Sequence, residues 1–223
     1  MSIFLLTIFS FCLTTIAFAQ NYSFDTTFIN NQQKIIVKTK EIKEGFVLLT
    51  VFRNSKRILS DTLDKGGLVN LEYVDFNKDK SRDILLTYIG NNPTYFLYLF
   101  DNKTNTFKNV KGFDKFPEAI QLKTNSKYYY SYHRAGCADL NWVSDLFVIN
   151  NFKAIQKAHI YGQGCDYEVK SNPQIIEIYK IINNNEENKK VIAKLPLLKY
   201  IPNFGDKWEF IEKYWNKNYL KFQ

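Results

Sequence analysis

The chain places five oxygen-bearing residues at alternate positions in "DFNKDKSRDILL": Asp75, Asn77, Asp79, Ser81 and Asp83. With Asp75 as position one, side-chain oxygens fall at one, three, five and nine, and Ser81 at seven can offer its backbone carbonyl. Calcium takes about six to eight hard oxygens, and a tight loop supplies them by turning alternate residues inward. Carboxylates this close repel one another unless a cation sits among them. A structural calcium ion is therefore the expected occupant. The competing reading is a polar β-turn whose Asp and Asn bond their own backbone. In an EF-hand loop Gly makes the bend at position six and a bidentate Glu closes position twelve. Here those positions hold Lys80 and Leu86.

A second unusual passage runs through "YYYSYHRAGCADLNWVSDLFVIN" and "AIQKAHIYGQGCDY". It contains both histidines, His133 and His159, each a few residues ahead of a cysteine, Cys137 and Cys165. Two His and two Cys could bind zinc, yet the spacings H-x3-C and H-x5-C lack the usual C-x2-C pair. An even cysteine count in an exported chain favours a Cys137–Cys165 disulfide instead. Cys-His nucleophilic chemistry would need a free thiol and an orienting group. Asp139, Asp145 and Asp166 cluster in sequence and leave open an exported carboxylate-based hydrolase acting on a polysaccharide or cell-wall polymer. Alternation sends Tyr128, Tyr130 and Tyr132 one way and Tyr129 with Ser131 the other, which puts half of the tyrosines in the core. The loop that follows carries Arg134, Asp139, Asn141 and Trp142, and loops on rigid scaffolds often carry recognition. These four residues are the expected partner-binding set.

The elements that position these residues read as strands. Runs such as "KIIVKTKEI", "GFVLLTVFR", "DILLTYI", "TYFLYLF" and "QIIEIYKII" are rich in Ile, Val, Tyr and Phe, and several alternate apolar with polar. Turn signals separate them, including Arg53-Asn54-Ser55, Gly90-Asn91-Asn92-Pro93 and Asn183-Asn184-Asn185. Short strands with tight turns predict an all-β antiparallel meander: a sandwich, a barrel or a propeller. In "GDKWEFIEKYWNKNYLKF" the residues Trp208, Ile211, Trp215 and Tyr219 recur at spacings of three and four. That pattern predicts a short C-terminal helix, with Asp206 as its cap.

With 223 residues, 45% hydrophobic and 17% aromatic, the chain has ample material for a packed core. Residues 1–19 hold a long apolar run without charge and end in Ala17-Phe18-Ala19, the small-x-small pattern of a signal-peptide cleavage site. The expected organisation is a signal peptide at 1–19 and a single all-β domain at 20–223, periplasmic or secreted, with no membrane span after cleavage. The alternative is a signal anchor. The net charge of +8 comes from singly scattered Lys mixed with acids. No basic run interleaved with aromatics is present, so nucleic acid is not an expected partner.

The loop D-x-[DN]-x-D-x-x-x-D running into a strand closely resembles the calcium loop of FG-GAP repeats in integrin-like β-propellers. With the prepeptide, "YFLYLFDNKTNTFKNV" and "YYSYHRAGCADLNWVSDLFVIN", the chain resembles exported bacterial FG-GAP-like calcium-binding propeller proteins. These include periplasmic immunity proteins that inhibit lysozyme-type effectors. The resemblance implies a small propeller, a structural calcium at Asp75, Asn77, Asp79, Ser81 and Asp83, and no catalysis. It also implies a protein partner of lysozyme-like hydrolase type, blocked by a loop.

Overall fold

The computed structural model describes residues 23–166 and 173–223. The expected prepeptide, 1–19, lies outside the described residues. The architecture is three antiparallel sheets followed by one helix of more than a single turn. Sheet A is a meander of β1 (Thr26–Asn30), β2 (Gln33–Lys43), β3 (Phe46–Arg53) and β4 (Lys56–Asp64). Sheet B is a second meander of β5 (Leu68–Val74), β6 (Asp83–Tyr88), β7 (Thr94–Asp101) and β8 (Thr106–Asn109).

Sheet C contains β9 (Ile120–Gln121), β10 (Tyr128–Tyr130), β11 (His133–Arg134), β12 (Asn141–Asn150), β13 (Lys153–Gln163), β14 (Ile175–Ile182) and β15 (Asn185–Pro196). Its order is β15-β14-β13-β12-β10-β9, with β11 also paired to β12. A single turn, α1 (Leu197–Tyr200), leads to α2 (Asp206–Asn218). The all-β expectation holds, and so does the C-terminal helix. Among the described residues the sheets do not close into a barrel. Sheets A and B have the four-stranded form of a propeller blade, whereas the seven-stranded sheet C departs from it.

The hairpins are tight because several turn pairs adopt left-handed backbone without glycine: Asn31-Gln32, Asn54-Ser55, Asn151-Phe152 and Asn183-Asn184. Two successive left-handed residues match the twist of the flanking strands, and Asn tolerates that conformation best after Gly.

The layers stack in chain order. Ile35, Val37, Leu49 and Val51 of sheet A meet Ile84, Leu86, Tyr98 and Phe100 of sheet B. The other side chains of β7, Leu97 and Leu99, point away from sheet A and join Phe113, Phe116, Tyr129 and Phe147. Strand β7 is thus buried on both faces, which explains why "TYFLYLF" is a continuous apolar run. On its far side, sheet C receives α2. Trp142, Leu146, Ile160, Ile176 and Ile178 pack with Ile211 and Trp215. Trp215, fully buried, donates its indole N–H to Ser144 Oγ at 2.8 Å. Asp206 does not cap α2 as expected. Gly205 precedes the helix, and the Asp206 carboxylate turns back to accept from the Asn203 amide at 2.9 Å.

Candidate functional site

The acidic loop joins β5 to β6, and Asp83 is itself the first residue of β6. Asp83 is fully buried. Its carboxylate accepts the backbone N–H of Phe76 at 3.0 Å and of Phe100 at 2.8 Å, tying the loop to β7. The other side chains turn toward the loop's own backbone. Asp75 accepts from the Lys80 amide at 3.0 Å, Asn77 from Asp79 at 3.1 Å, and Asp79 from Ser81 at 2.8 Å. Lys80 has a φ of 74°, so the left-handed bend that glycine makes in calcium loops is present here with a lysine in it.

Three residues distant in sequence close the arrangement. Asn30 accepts from the Arg82 amide at 2.9 Å, and Asn102 donates to Ser81 Oγ at 2.9 Å. Asn31 donates to Asn102 Oδ1 at 3.0 Å. Ser81 is buried and its hydroxyl serves this network.

Among the described residues, Asp75, Asp79 and Asp83 form no ion pair with Lys or Arg. Burial, followed by the neighbouring Asp79 and Asp75 carboxylates, pushes the Asp83 carboxyl up to about 7 despite its two amide donors. A divalent ion fits this donor set chemically, since it would offset a buried and otherwise unbalanced negative charge. As the side chains stand, no group of three or more His, Cys, Asp or Glu among the described residues already surrounds a metal position. Ion binding therefore requires carboxylates to leave backbone amides, or to use their second lone pairs.

The disulfide expectation is met: Cys137 and Cys165 are bonded, with Cα atoms 5.7 Å apart. Such a bond fits an oxidising compartment, and it removes both sulfurs from zinc ligation. The histidines serve elsewhere. His159 Nδ1 lies 2.8 Å from Asp145 Oδ1 across β12–β13, and Gln156 donates to the same oxygen at 2.7 Å. His133 stands at the start of β11.

The region expected to meet a partner is held in an unusual way. Cys137, Ala138 and Asp139 are consecutive left-handed residues, with φ of 52°, 50° and 74°. Each costs roughly 1–2 kcal/mol, so surrounding bonds must impose them. The disulfide is one. Asn92 is another: its side chain accepts the Arg134 N–H and donates to the Arg134 carbonyl, both at 2.9 Å. The third is Lys207, buried in the first turn of α2, whose ammonium donates to the Asp139 carboxylate at 2.7 Å and carbonyl at 3.1 Å. The Phe204, Trp208 and Tyr132 rings surround that ammonium at 3.7, 5.1 and 5.4 Å. Tyr132 also donates its hydroxyl to Asp139, and burial followed by this bond raises the phenol well above its ordinary value.

Of the four residues expected at the partner face, Arg134 is exposed and Asp139 is half-buried and engaged. Asn141 and Trp142 are buried. Asn141 Oδ1 accepts the amides of Gly164 at 3.0 Å and Cys165 at 3.2 Å. Trp142 lies so close over Gly162 that a Cβ there would stand 2.1 Å from its ring. All four tyrosines, Tyr128, Tyr129, Tyr130 and Tyr132, are buried rather than half of them. They do divide between the helix side and the sheet B side as alternation requires.

What the loop presents to solvent is Arg134 beside a recess of about 610 Å³ shared with Asn91, Gly136, Ala138 and Phe204. Phe204, 53% exposed, lines it, and Trp208, 46% exposed, packs its ring on Tyr132. Sequence reading missed Lys207, Phe204 and Asn92. A lysine in the first turn of a helix, where the dipole disfavours it, was the available signal for Lys207.

The three candidate hydrolytic carboxylates do not assemble over a cleft. Asp139 is paired with Lys207, and Asp145 is buried against Gln156 and His159. Asp166 shares with Asp139 only a space of about 130 Å³, against several hundred Å³ (~300–1,000) for ligand pockets in general. Among the described residues no helix is long and apolar enough to cross a membrane.

No family model matches the chain, and no curated protein matches it. A solved structure described as "a Xanthomonas Type IV Secretion System related protein" aligns with a TM-score of 0.47 at 16% identity, covering 76% of this chain and 93% of that one. The likeness is distant, and that protein's role is not carried over.

Proposed function

We propose that the protein is an exported, non-enzymatic binding protein. Its Asp75–Asp83 loop holds a structural calcium ion, and its Arg134–Asp139 loop meets a cell-wall hydrolase and blocks it. The observation that carries the partner reading is the loop itself. Three consecutive strained residues are pinned by a disulfide, a two-point Asn92 clamp and a buried Lys207, between exposed Arg134 and the exposed rings of Phe204 and Trp208. Arginine and large aromatics are the residue types that anchor protein interfaces. A loop rigid before binding loses little entropy on association.

Arg134 also suits a target whose cleft bears two carboxylates, the usual equipment of glycoside hydrolases. This local match answers the electrostatic difficulty that a chain of +8 would have with a basic hydrolase. The calcium reading is supported by the buried, unpaired Asp83 carboxylate flanked by Asp75 and Asp79. When bound, the ion would supply charge balance and rigidity, with no chemical step. Two stacked four-stranded meanders, the second carrying the Asp/Asn loop, support kinship with FG-GAP-like propellers.

The test is peptidoglycan hydrolysis by a panel of lysozyme-type enzymes with the protein added, comparing wild type with Arg134→Glu. Inhibition of at least one enzyme, weakened about tenfold or more by the substitution (roughly 1.4 kcal/mol or more), is expected. No inhibition and no complex with any member of the panel contradicts the proposal.

A further inference from the structure

Among the described residues, strand β15 closes sheet C on one side and pairs only with β14. With 12 residues it is the longest strand among those described. Its outer edge carries backbone N–H and C=O groups that no other strand of the described residues uses. Natural proteins usually keep such edges short because they template pairing with another chain. Val191 and Ile192 on this strand are 46% and 39% exposed.

Beside the edge lies a groove of about 760 Å³ between β15 and α2. Its apolar wall is made by Ala193 and Leu195 of the strand, Tyr200 and Pro202 of the connection, and Phe210 and Tyr214 of the helix. The charged side chains on its rim are mostly spoken for. Asp206 is bonded to Asn203, and Glu209 is paired with Lys213 at 2.5 Å. Lys217 and Lys221, both exposed, form no ion pair among the described residues, and set against the one Asp206 carboxylate, which is bonded only to the neutral amides of Asn203, they leave the groove net positive.

We infer that β15 and α2 form a docking groove for an extended, acidic segment of a partner protein, which adds to sheet C as a further strand. This site is separate from the Arg134 loop and does not depend on it. Backbone bonds to the β15 edge would supply affinity, and alternate side chains entering the groove would supply selectivity. The apolar ones meet Leu195, Phe210 and Tyr214, and the carboxylates meet Lys217 and Lys221. Helix α2 is roughly 20 Å long. That length matches about six residues of extended chain at roughly 3.3 Å each.

The edge lysines favour this occupant over a second copy of the chain. Lys189, Lys190 and Lys194 gather near the middle and far end of β15. Glu186 and Glu187 lie at its start, but lysines still outnumber acids on the strand; a second copy therefore brings further positive charge to Lys217 and Lys221, whereas an acidic strand is attracted to them.

The experiment uses a fluorescein-labelled decapeptide alternating valine and glutamate, a matched valine–lysine peptide, and the double variant Lys217→Glu/Lys221→Glu. Both lysines are exposed, so the variant is expected to melt with the wild type. Anisotropy should show binding of the valine–glutamate peptide only, weakened at least tenfold in the variant. Amide hydrogen exchange should show new protection over residues 191–195. The proposal is overturned by absence of binding, by binding indifferent to the double substitution, or by protection elsewhere. A dimer in light scattering whose protected edge is β15 would also overturn it, giving that edge to a second copy.

Discussion

Asp83 provides the sharpest prediction, because its burial opposes its charge. The carboxyl is carried from its ordinary 3.8 to about 7, chiefly by burial and secondarily by Asp79 and Asp75. Between those two values the folded chain keeps a proton that the unfolded chain has shed. Stability is therefore withdrawn as pH rises. The contribution is fully present below 3.8 and gone above about 7. With each pH step worth roughly 1.4 kcal/mol, the loss amounts to about 4 kcal/mol. For a chain of this size that is a fall in Tm of about 8–16 °C. The assay is thermal unfolding in chelator from about pH 4.5 to 8, with Asp83→Asn as the reference that cannot ionise. Subtracting the variant's profile isolates the titration of Asp83. The difference should fall across this range in chelator, and calcium should restore it near neutral pH. A difference profile that is flat, or that rises with pH, would refute the reasoning.

Other consequences are independent of this titration. Converting Cys137 and Cys165 to serine together opens a loop spanning 28 positions and should cost about 2–5 kcal/mol in chemical denaturation. It should also abolish any inhibition that depends on the Arg134 loop. Lys80→Gly removes a lysine from a left-handed position and should stabilise the calcium-free protein by up to about 1 kcal/mol. A loss of stability there would show that the lysine side chain is doing something its exposure does not reveal. Gly162→Ala forces a methyl onto the Trp142 ring and should destabilise by about 3 kcal/mol or more, read as a lower Tm.

The legible parts of the molecule were those set by local periodicity. Alternation sorted the tyrosines of 128–132 between two faces, and the recurrence of Trp208, Ile211, Trp215 and Tyr219 marked α2. The pattern did not show that α2 would lie over sheet C, so Tyr128, Tyr130 and Tyr132 became core instead of an offered face. Asn141 and Trp142 read as loop residues because the strand signal strengthens only at Val143. In the structure both already belong to β12, and Gly162 on the adjacent strand makes room for the indole.

The acidic loop was legible because its spacing is contained in nine residues. Its supports were not, since Asn30 and Asn31 come from a turn of sheet A about fifty positions away, a separation at which only tertiary packing sets the contact. Lys207 was illegible for the same reason: its partner Asp139 lies 68 positions earlier.

The most direct measurement of the central claim is calorimetric titration of calcium into chelator-treated protein at about pH 7.5, where the ligand-linked stabilisation should be fully expressed. One ion bound per chain is predicted for the wild type, with the heat lost in Asp75→Asn and Asp79→Asn. Heat absent from the wild type, or unchanged in both variants, would contradict a cation at residues 75–83.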